Sequence, residues 1–182
     1  MTFTETDIEG LFIIQPKIYR DERGYFFESF NQLEFKNKTG LNINFVQDNQ
    51  SKSSKNVIRG LHFQNPPNAQ GKLVRVLQGS VIDIVVDIRL SSMTYGKHFK
   101  IKLDAIDFKM LYVPEGFAHG FVTLEDDTVF SYKCTDFYHK ESEDCLLWND
   151  PDLKIDWGIN EPILSEKDQH GKKFSSFVSK FK

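Results

Sequence analysis

The sequence predicts an all-β protein whose strands close into a barrel or jelly roll. Many short runs of β-branched and aromatic residues follow one another, and Gly, Pro, Asn, Asp or Ser separates most of them. Such a series of strands with few helices is typical of sandwiches and barrels, and closure removes exposed edges and creates an interior cavity. With 182 residues, 40% hydrophobic residues and 17 Phe, the chain fits one folded domain over residues 1–182.

The strand pattern accounts for most of the chain. Predicted strands cover residues 11–14, 24–30, 45–49, 57–63, 73–77, 81–88, 99–103, 110–113, 120–124 and 129–135. The segment Leu77-Gln-Gly-Ser-Val81 predicts a tight hairpin between two of these strands, with Gly79 free to adopt a positive φ.

Two short helices are predicted. The first covers residues 32–38, with Asn31 as its N-cap and Gly40 as its terminator. The second is a turn over residues 165–168 that Ser165 caps. No internal repeat, low-complexity tract or linker is visible. Candidate functional residues are therefore sought among the polar residues inside the predicted strands.

The composition excludes several classes of protein. A net charge of −3 gives no general attraction to nucleic acid, so any anion binding must come from local placement of Arg and Lys. The first residues lack the basic and apolar regions of a secretory signal, and no apolar stretch approaches the ~20 residues of a membrane span. Cys134 and Cys145 are interpreted as reduced thiols. We therefore expect a cytoplasmic protein that binds neither nucleic acid nor membrane.

Three polar side chains stand in short strands that are otherwise apolar. Arg59-Gly-Leu-His62 and the nearby Lys72 bring a guanidinium, an imidazole and an ammonium together in sequence. Burying such groups is costly unless partners or a ligand compensate. A histidine near its ordinary pKa of ~6.5 is suited to accept a proton at neutral pH, although a core histidine bonded to a carbonyl is the competing interpretation. The pattern favours acid–base chemistry on an anionic organic ligand.

Strand alternation restricts where these side chains point. Arg59 and His62 would face opposite sides of a regular strand, so either a bulge, for instance at Gly60, redirects one of them or only one points inward. Lys72 has the parity of the apolar Val74. This parity, and mainly the proximity of Lys72 to the His62 strand, favours a charge that faces the cavity and stabilises an oxyanion over a lysine that reaches water at a strand end.

Three other residues are candidates for supporting or catalytic roles. Asp83 interrupts an apolar strand and needs a partner, for which Lys72 or an arginine is expected. Tyr132 is either a core residue or an acid whose hydroxyl returns a proton opposite the base. Asp168 is either a surface residue or helix cap, or the carboxylate that orients a histidine from another part of the fold.

A metal site is not predicted. Zinc or iron on a β-barrel usually requires two closely spaced histidines plus a further His, Glu or Asp, and the residues after His62 are Phe63-Gln-Asn65. Three other histidines lie among polar residues and are predicted on the surface: His98, His139 and His170.

Several segments together resemble the dTDP-4-dehydrorhamnose 3,5-epimerases. They are Arg59-Gly-Leu-His-Phe63, Gly71-Lys72, Pro114-Glu-Gly-Phe-Ala-His-Gly-Phe121, Leu147-Trp-Asn-Asp-Pro-Asp152 and Leu164-Ser-Glu-Lys-Asp168. They follow the family's order and spacing from about residue 11 to about residue 174. The resemblance implies a cupin-type β jelly roll that assembles as a homodimer and needs no metal, nicotinamide or flavin.

The resemblance also implies a reaction. The substrate would be dTDP-4-dehydro-6-deoxy-glucose, which is inverted at C3 and C5 to give dTDP-4-dehydro-rhamnose. His62 would be the base, oriented by Asp168, and Tyr132 would return a proton to the opposite face. Lys72 would stabilise the enolate. Inversion needs a proton donor on the second face, because a single base would restore the starting configuration.

Substrate contacts are implied by the same resemblance. They fall on Arg23, Glu28, Gln47, Asn49, Arg59, His119, Tyr138, Glu143 and Lys167. Tyr138 would stack on the thymine, and the strand over residues 23–28 would reach into the site of the neighbouring subunit, so that dimerisation forms part of function.

The sequence departs from the family's pattern at one position, and three alternative functions remain open. Asp144-Cys145 follows Glu143 where the family usually has a glycine, and an Asp tolerates a positive φ better than most residues. The alternatives are an epimerase that acts at C3 or C5 only, a non-catalytic cupin that binds a nucleotide sugar, and a metal-dependent cupin enzyme.

Overall fold

The computed structural model describes residues 1–182 and is built almost entirely from strands. The strands are β1 Thr2–Glu5, β2 Phe12–Gln15, β3 Tyr19–Asp21, β4 Gly24–Phe26, β5 Gln47–Ser53, β6 Ile58–Gln64, β7 Lys72–Gln78, β8 Ser80–Asp87, β9 His98–Asp104, β10 Met110–Val113, β11 Phe117–Thr123, β12 Thr128–Cys134 and β13 Glu143–Cys145. The helices are α1 Gln32–Thr39, α2 Glu166–Gln169 and a 3₁₀ helix over Phe174–Ser176. None of these helices has the length and apolarity that crossing a membrane requires.

Two antiparallel sheets form the jelly roll. The six-stranded sheet has the order β1-β2-β10-β7-β12-β5, and the five-stranded sheet has the order β13-β6-β11-β8-β9. Side chains from alternate positions of both sheets meet in one apolar layer, which includes Val74, Val85, Phe121 and Phe130. The all-β prediction is therefore correct, and polar residues on these inner faces lie next to the cavity between the sheets.

Both sheets are also covered on their outer faces. Residues after β13, among them Leu153 and Trp157, pack on the outer face of the five-stranded sheet. Phe35 of α1 packs on Tyr112 of the six-stranded sheet with ring centroids 5.0 Å apart. The two walls that hold the candidate site are thus each packed from behind.

The predicted helices are confirmed together with their caps. Asn31 precedes α1 and accepts a hydrogen bond from the Glu34 amide at 3.0 Å, and Gly40 ends the helix with φ 74°. Ser165 precedes α2 and accepts from the Asp168 amide at 3.2 Å. Short polar side chains and a glycine are sufficient to define both ends of α1.

Two strand predictions are wrong. β7 and β8 belong to different sheets, so the segment around Gly79 is a crossing between sheets and not a hairpin. Gly79 does have a positive φ of 76°, and a Cβ there would lie 2.5 Å from the Thr128 hydroxyl. The strand predicted over residues 24–30 ends at Phe26, because its partner strand β3 begins at Tyr19, which pairs with Phe26 and leaves no partner for the residues that follow.

Candidate active site

A cavity between the two sheets collects most of the predicted residues. It has two adjoining parts, with volumes of about 330 Å³ and about 150 Å³. His62, Lys72 and Tyr132 line both parts. The other predicted residues that line the cavity are Gln47, Asn49, Arg59, His119, Tyr138 and Glu143.

A β-bulge places Arg59 and His62 on the same face of β6. His62 pairs with His119 of β11, and Arg59 pairs with Phe121, so β6 contains one residue more than its partner strand between these pairs. The bulge lies at Gly60, which has φ 142° and approaches β11 so closely that a Cβ would lie 2.4 Å from its backbone. Of the two arrangements that the sequence allowed, the structure therefore has the bulge.

His62 and Asp168 form a hydrogen-bonded pair. The His62 Nε2–H donates to Asp168 Oδ1 at 2.5 Å, and only 2% of Asp168 is exposed. Ser165 donates its hydroxyl to Asp168 Oδ2 at 2.7 Å, so the cap of α2 also orients the carboxylate. With Nε2 as the donor, the lone pair of the imidazole lies on Nδ1, which is left to accept a proton.

The pKa values of this pair suit a neutral base beside an ionised carboxylate. Burial lowers the pKa of His62, and the hydrogen bond and charge of Asp168 oppose that effect only in part. Burial would raise the pKa of Asp168, but the bonds from His62 and Ser165 outweigh it, so the pKa of this carboxyl lies below its usual range. At neutral pH the imidazole is therefore uncharged.

Lys72 and Tyr132 extend into the cavity from the six-stranded sheet, which is the wall opposite His62. Lys72 is 8% exposed, and its Nζ donates to the His62 carbonyl at 3.2 Å. Burial lowers the pKa of Lys72 and raises the pKa of the Tyr132 phenol. The phenol is thus a protonated group that faces the imidazole across the cavity.

Asp83 has a different partner from the one expected. Its carboxylate accepts from His119 Nε2 at 2.9 Å, and not from Lys72 or an arginine. Both residues are buried, and the β8–β11 register places them diagonally on the inner face, where side chains of neighbouring strands meet. The buried carboxylate is satisfied by a second imidazole that lines the cavity.

Polar side chains at the cavity mouth form a connected group. Glu143 makes an ion pair with Lys167 and accepts from the Tyr138 hydroxyl at 3.1 Å. Burial would raise the pKa of Glu143, but Lys167 lowers it below the usual range. Gln47 accepts from the Tyr138 amide at 3.0 Å and donates to Asn49 at 3.1 Å. The exposed Tyr138 ring is therefore held at the rim through its backbone and its hydroxyl.

Two predicted contacts lie outside this cavity. The Arg23 side chain is 85% exposed and pairs with Asp21 at 2.5 Å. Glu28 is exposed and accepts from Asn31 at 3.1 Å. Neither residue lines the cavity of its own chain.

With this geometry established, comparison with known proteins identifies the family. The family model described as dTDP-4-dehydrorhamnose 3,5-epimerase matches residues 5–176. The chain belongs to this family. A curated dTDP-4-dehydrorhamnose 3,5-epimerase from Shigella flexneri is 49% identical over 174 residues, which cover 96% of each chain.

Solved structures of the family have the same fold. The crystal structure of dTDP-4-dehydrorhamnose 3,5-epimerase from Elizabethkingia anophelis NUHP1 is 51% identical with a TM-score of 0.92, and the match covers 96% of this chain and 97% of that one. The dTDP-6-deoxy-D-glucose-3,5-epimerase of Legionella pneumophila, in complex with dTDP-4-keto-L-rhamnose, is 46% identical with a TM-score of 0.93, covering 97% and 94%. The cupin-type jelly roll is thereby confirmed, and the chain is an isomerase of this family.

Sequence reasoning missed several residues that shape this epimerase-family site. Gln64 has the strand parity of His62, which was the available signal. Its side chain donates to the Phe137 carbonyl at 3.1 Å and accepts from the His139 amide at 2.7 Å. Gln64 therefore holds both residues that flank Tyr138. Gln70 also lines the cavity.

The positive φ considered for Asp144 does not occur. Asp144 is not among the residues with a positive φ, and it lies in β13 opposite Phe63. Its carboxylate accepts from Lys172 Nζ at 2.6 Å. An ordinary strand residue thus occupies the position, and no left-handed backbone is needed there.

One cluster with metal-ligating side chains is present. Donor atoms of His62, Cys145 and Asp168 lie within 4.8 Å of one another. The sequence could not indicate this cluster, because its members belong to β6, β13 and α2. The three histidines predicted at the surface are exposed, as expected: His98, His139 and His170.

Proposed function

We propose that this enzyme inverts C3 and C5 of dTDP-4-dehydro-6-deoxy-glucose by proton abstraction next to the C4 ketone and reprotonation from the opposite face. The observation that carries the proposal is the placement of His62 and Tyr132 on opposite sheets that line one cavity. A base and an acid on facing walls can act on the two faces of a sugar ring held between them.

His62 is the base in this reaction. The hydrogen bond from Nε2 to Asp168 leaves Nδ1 as the acceptor, and the lowered pKa keeps the imidazole neutral at physiological pH. Each abstraction forms the imidazolium, whose charge the adjacent carboxylate stabilises. Asp168 acts through His62 and is a positioning residue.

Tyr132 and Lys72 complete the proton transfers. The raised pKa of the Tyr132 phenol keeps it protonated, so it can donate to the face that His62 does not reach. Removing a proton from C3 or C5 places negative charge on the C4 oxygen. The buried Lys72 ammonium supplies the donor that stabilises this enolate.

The remaining cavity residues hold the nucleotide. Arg59 is exposed and lines the smaller part of the cavity together with His119, and its planar guanidinium suits the oxygens of a diphosphate. The Tyr138 ring offers a surface on which a thymine stacks. Gln47, Asn49 and the Glu143–Lys167 pair provide polar contacts to the nucleoside and sugar.

The enzyme acts as a homodimer in this proposal. Arg23 and Glu28 lie outside the cavity of their own chain, on and just after the exposed β3–β4 hairpin. Large apolar side chains are exposed on the same hairpin: Tyr19, Tyr25 and Phe26. Such a patch is typical of a surface that a partner covers, and it would carry Arg23 into the site of the second subunit. The two buried free thiols, Cys134 and Cys145, favour a reducing compartment such as the cytoplasm.

Solvent deuterium tests the reaction directly. Incubation with dTDP-4-dehydro-6-deoxy-glucose in deuterated water should place label at both C3 and C5, as read by proton NMR and mass spectrometry. Label at one carbon alone would contradict the proposal and support the single-centre alternative. Full turnover should persist after exhaustive chelation, and its loss would support the metal-dependent alternative.

Two variants separate the roles of acid and base. His62→Ala should lose about 10²–10⁴-fold in turnover and all label, while dTDP binding measured by calorimetry stays within a few-fold. Tyr132→Phe should still exchange protons for deuterium but return the starting configuration, because only the His62 face remains active. Unchanged turnover in His62→Ala would favour the non-catalytic binding protein.

A further inference from the structure

The proposed reaction uses His62 and Asp168 but leaves the neighbouring Cys145 without a role. A ring nitrogen of His62, Sγ of Cys145 and a carboxylate oxygen of Asp168 lie within 4.8 Å of one another. They come from three different elements, β6, β13 and α2, that meet at one corner of the five-stranded sheet. A nitrogen, a sulfur and an oxygen donor therefore converge on a single point.

The backbone fixes this arrangement. Leu61 and Leu146 exchange both of their backbone hydrogen bonds, so the next pair, His62 and Cys145, occupies a non-hydrogen-bonded position of the ladder. Side chains at such positions approach each other most closely. Asp168 is held by Ser165, and both Cys145 and Asp168 are buried. The three donors are thus held close together by the fold, and the His62–Asp168 hydrogen bond is the contact that an ion would have to open.

The donor set selects the kind of ion. Imidazole, thiolate and carboxylate together suit zinc and its borderline-soft relatives, whereas magnesium and calcium prefer oxygen donors alone. We propose that His62, Cys145 and Asp168 form an inhibitory site for Zn²⁺, with the fourth ligand position open to solvent. The His62–Asp168 hydrogen bond measures 2.5 Å and leaves no room for an ion between the two atoms. Zn²⁺ must break that bond, so it competes with the catalytic arrangement.

Zn²⁺ would inhibit the enzyme because its binding leaves His62 without a nitrogen that can accept a proton. It binds the lone pair of Nε2, and the proton displaced from Nε2 is replaced by one on Nδ1, so the imidazole stays neutral. Nδ1 then has no lone pair with which to accept a proton from the sugar. The second bond forms as the Cys145 thiol releases its proton to solvent. The inhibitory effect rests on the proposed role of His62, whereas the binding of the ion does not.

Cobalt provides a binding readout that does not depend on turnover. The full-length, metal-free protein should bind one Co²⁺ per chain with a sulfur-to-cobalt charge-transfer band in the near ultraviolet. Cys145→Ser, which keeps the size of the side chain, should lose that band. Cys134→Ser is the matched control because it removes the other buried thiol, and it should keep the band. A wild-type cobalt complex without the band, or one that Cys145→Ser retains, overturns the metal site.

Turnover then tests the inhibition. Zn²⁺ should inhibit the wild type reversibly, and a chelator should restore the activity. Loss of a direct ligand should raise the inhibitory Zn²⁺ concentration about 100-fold in Cys145→Ser, measured against that variant's own metal-free rate; Cys145→Ala gives the same readout if the serine variant folds poorly. Equal inhibition of both proteins overturns the proposal. A Cys145-dependent cobalt band with unaltered turnover overturns the inhibition.

Discussion

The tautomer of a single imidazole decides how His62 functions. Because Nε2–H donates to Asp168 at 2.5 Å, the basic nitrogen is Nδ1. Ser165 fixes the second oxygen of the carboxylate at 2.7 Å, so a helix cap also determines which atom of the histidine is free. The residue that caps α2 thus also supports the proposed base.

Replacing Asp168 by Asn should weaken the base and shift its titration. The hydrogen bond and charge of Asp168 both raise the pKa of His62 against the lowering effect of burial. Without them the pKa falls further, so the acid limb of the kcat/KM profile should move to lower pH. The rate on the plateau should fall about 10²–10⁴-fold, because the tautomer is no longer fixed.

The measurement is the full pH–rate profile of both proteins. The exposed Asp7, which does not line the cavity, offers the control substitution Asp7→Asn and should leave the profile unchanged. A shift of the acid limb to higher pH in Asp168→Asn would contradict the assignment.

At the scale of the element, the bulge in β6 is what brings two functional side chains together. One extra residue at Gly60 returns Arg59 to the face of His62, which a regular strand would not allow. The close approach of β6 and β11 at this point leaves no space for a Cβ. The shared face of Arg59 and His62 therefore depends on a glycine.

Gly60→Ala should be strongly destabilising. A Cβ would lie 2.4 Å from the Gly120 Cα and would also sit on a backbone with φ 142°. We expect a loss of about 3 kcal/mol or more in the free energy of unfolding, from strain and overpacking together. Thermal and denaturant unfolding measure this loss.

Gly158→Ala is the matched control for the cost of placing alanine on a backbone with positive φ. Gly158 has φ 72°, but a Cβ added at this residue would meet no atom within 4 Å, so its replacement should cost only about 1 kcal/mol. Equal stability of the two variants would show that contact with β11 does not constrain Gly60.

Elements that depend on residues close in sequence could be predicted, and elements that depend on pairing between distant segments could not. Asn31, Gly40 and Ser165 act on the backbone within a few residues, so the sequence sufficed to predict both α-helices. The crossing at Gly79 was mistaken for a hairpin because a positive φ suits both, and only the pairing of β7 with β12 decides between them. β13 was missed since its strand character comes from pairing with β6.

The same limit applies to the site. Strand parity was enough to expect Lys72 in the cavity, and the resemblance supplied the family's positions. The partner of Asp83 could not be predicted, because His119 lies on β11 and the register that joins it to β8 is a property of the folded sheet. Gln64 and Cys145 were overlooked for the same reason: their partners are distant in the chain.

At the scale of the whole molecule, mixing two inactive variants should test whether subunits share their sites. His62→Ala lacks the base, and Arg23→Ala lacks the proposed contact to the partner's substrate. In a mixed dimer, the site that keeps His62 receives the intact Arg23 of the other subunit. Coexpression should therefore restore about one quarter of the wild-type activity, because half of the dimers are mixed and each has one intact site.

Each variant coexpressed with itself is the control and should stay inactive or nearly so. Absence of any recovery, in dimers shown by tagged purification to be mixed, would mean that Arg23 serves its own chain or no site at all.

The apolar layer between the sheets also sets the distance between the sheet that carries His62 and the sheet that carries Tyr132. Val74, Val85 and Val113 fill this layer without lining either part of the cavity, and stacked sheets lie about 10 Å apart. A misplacement of about 1 Å can cost 100-fold in rate. The volume of side chains that do not line the cavity thus helps to set the separation of its two walls, and with it the efficiency of inversion. Substitutions in this layer can therefore change the rate without exchanging any residue that lines the cavity.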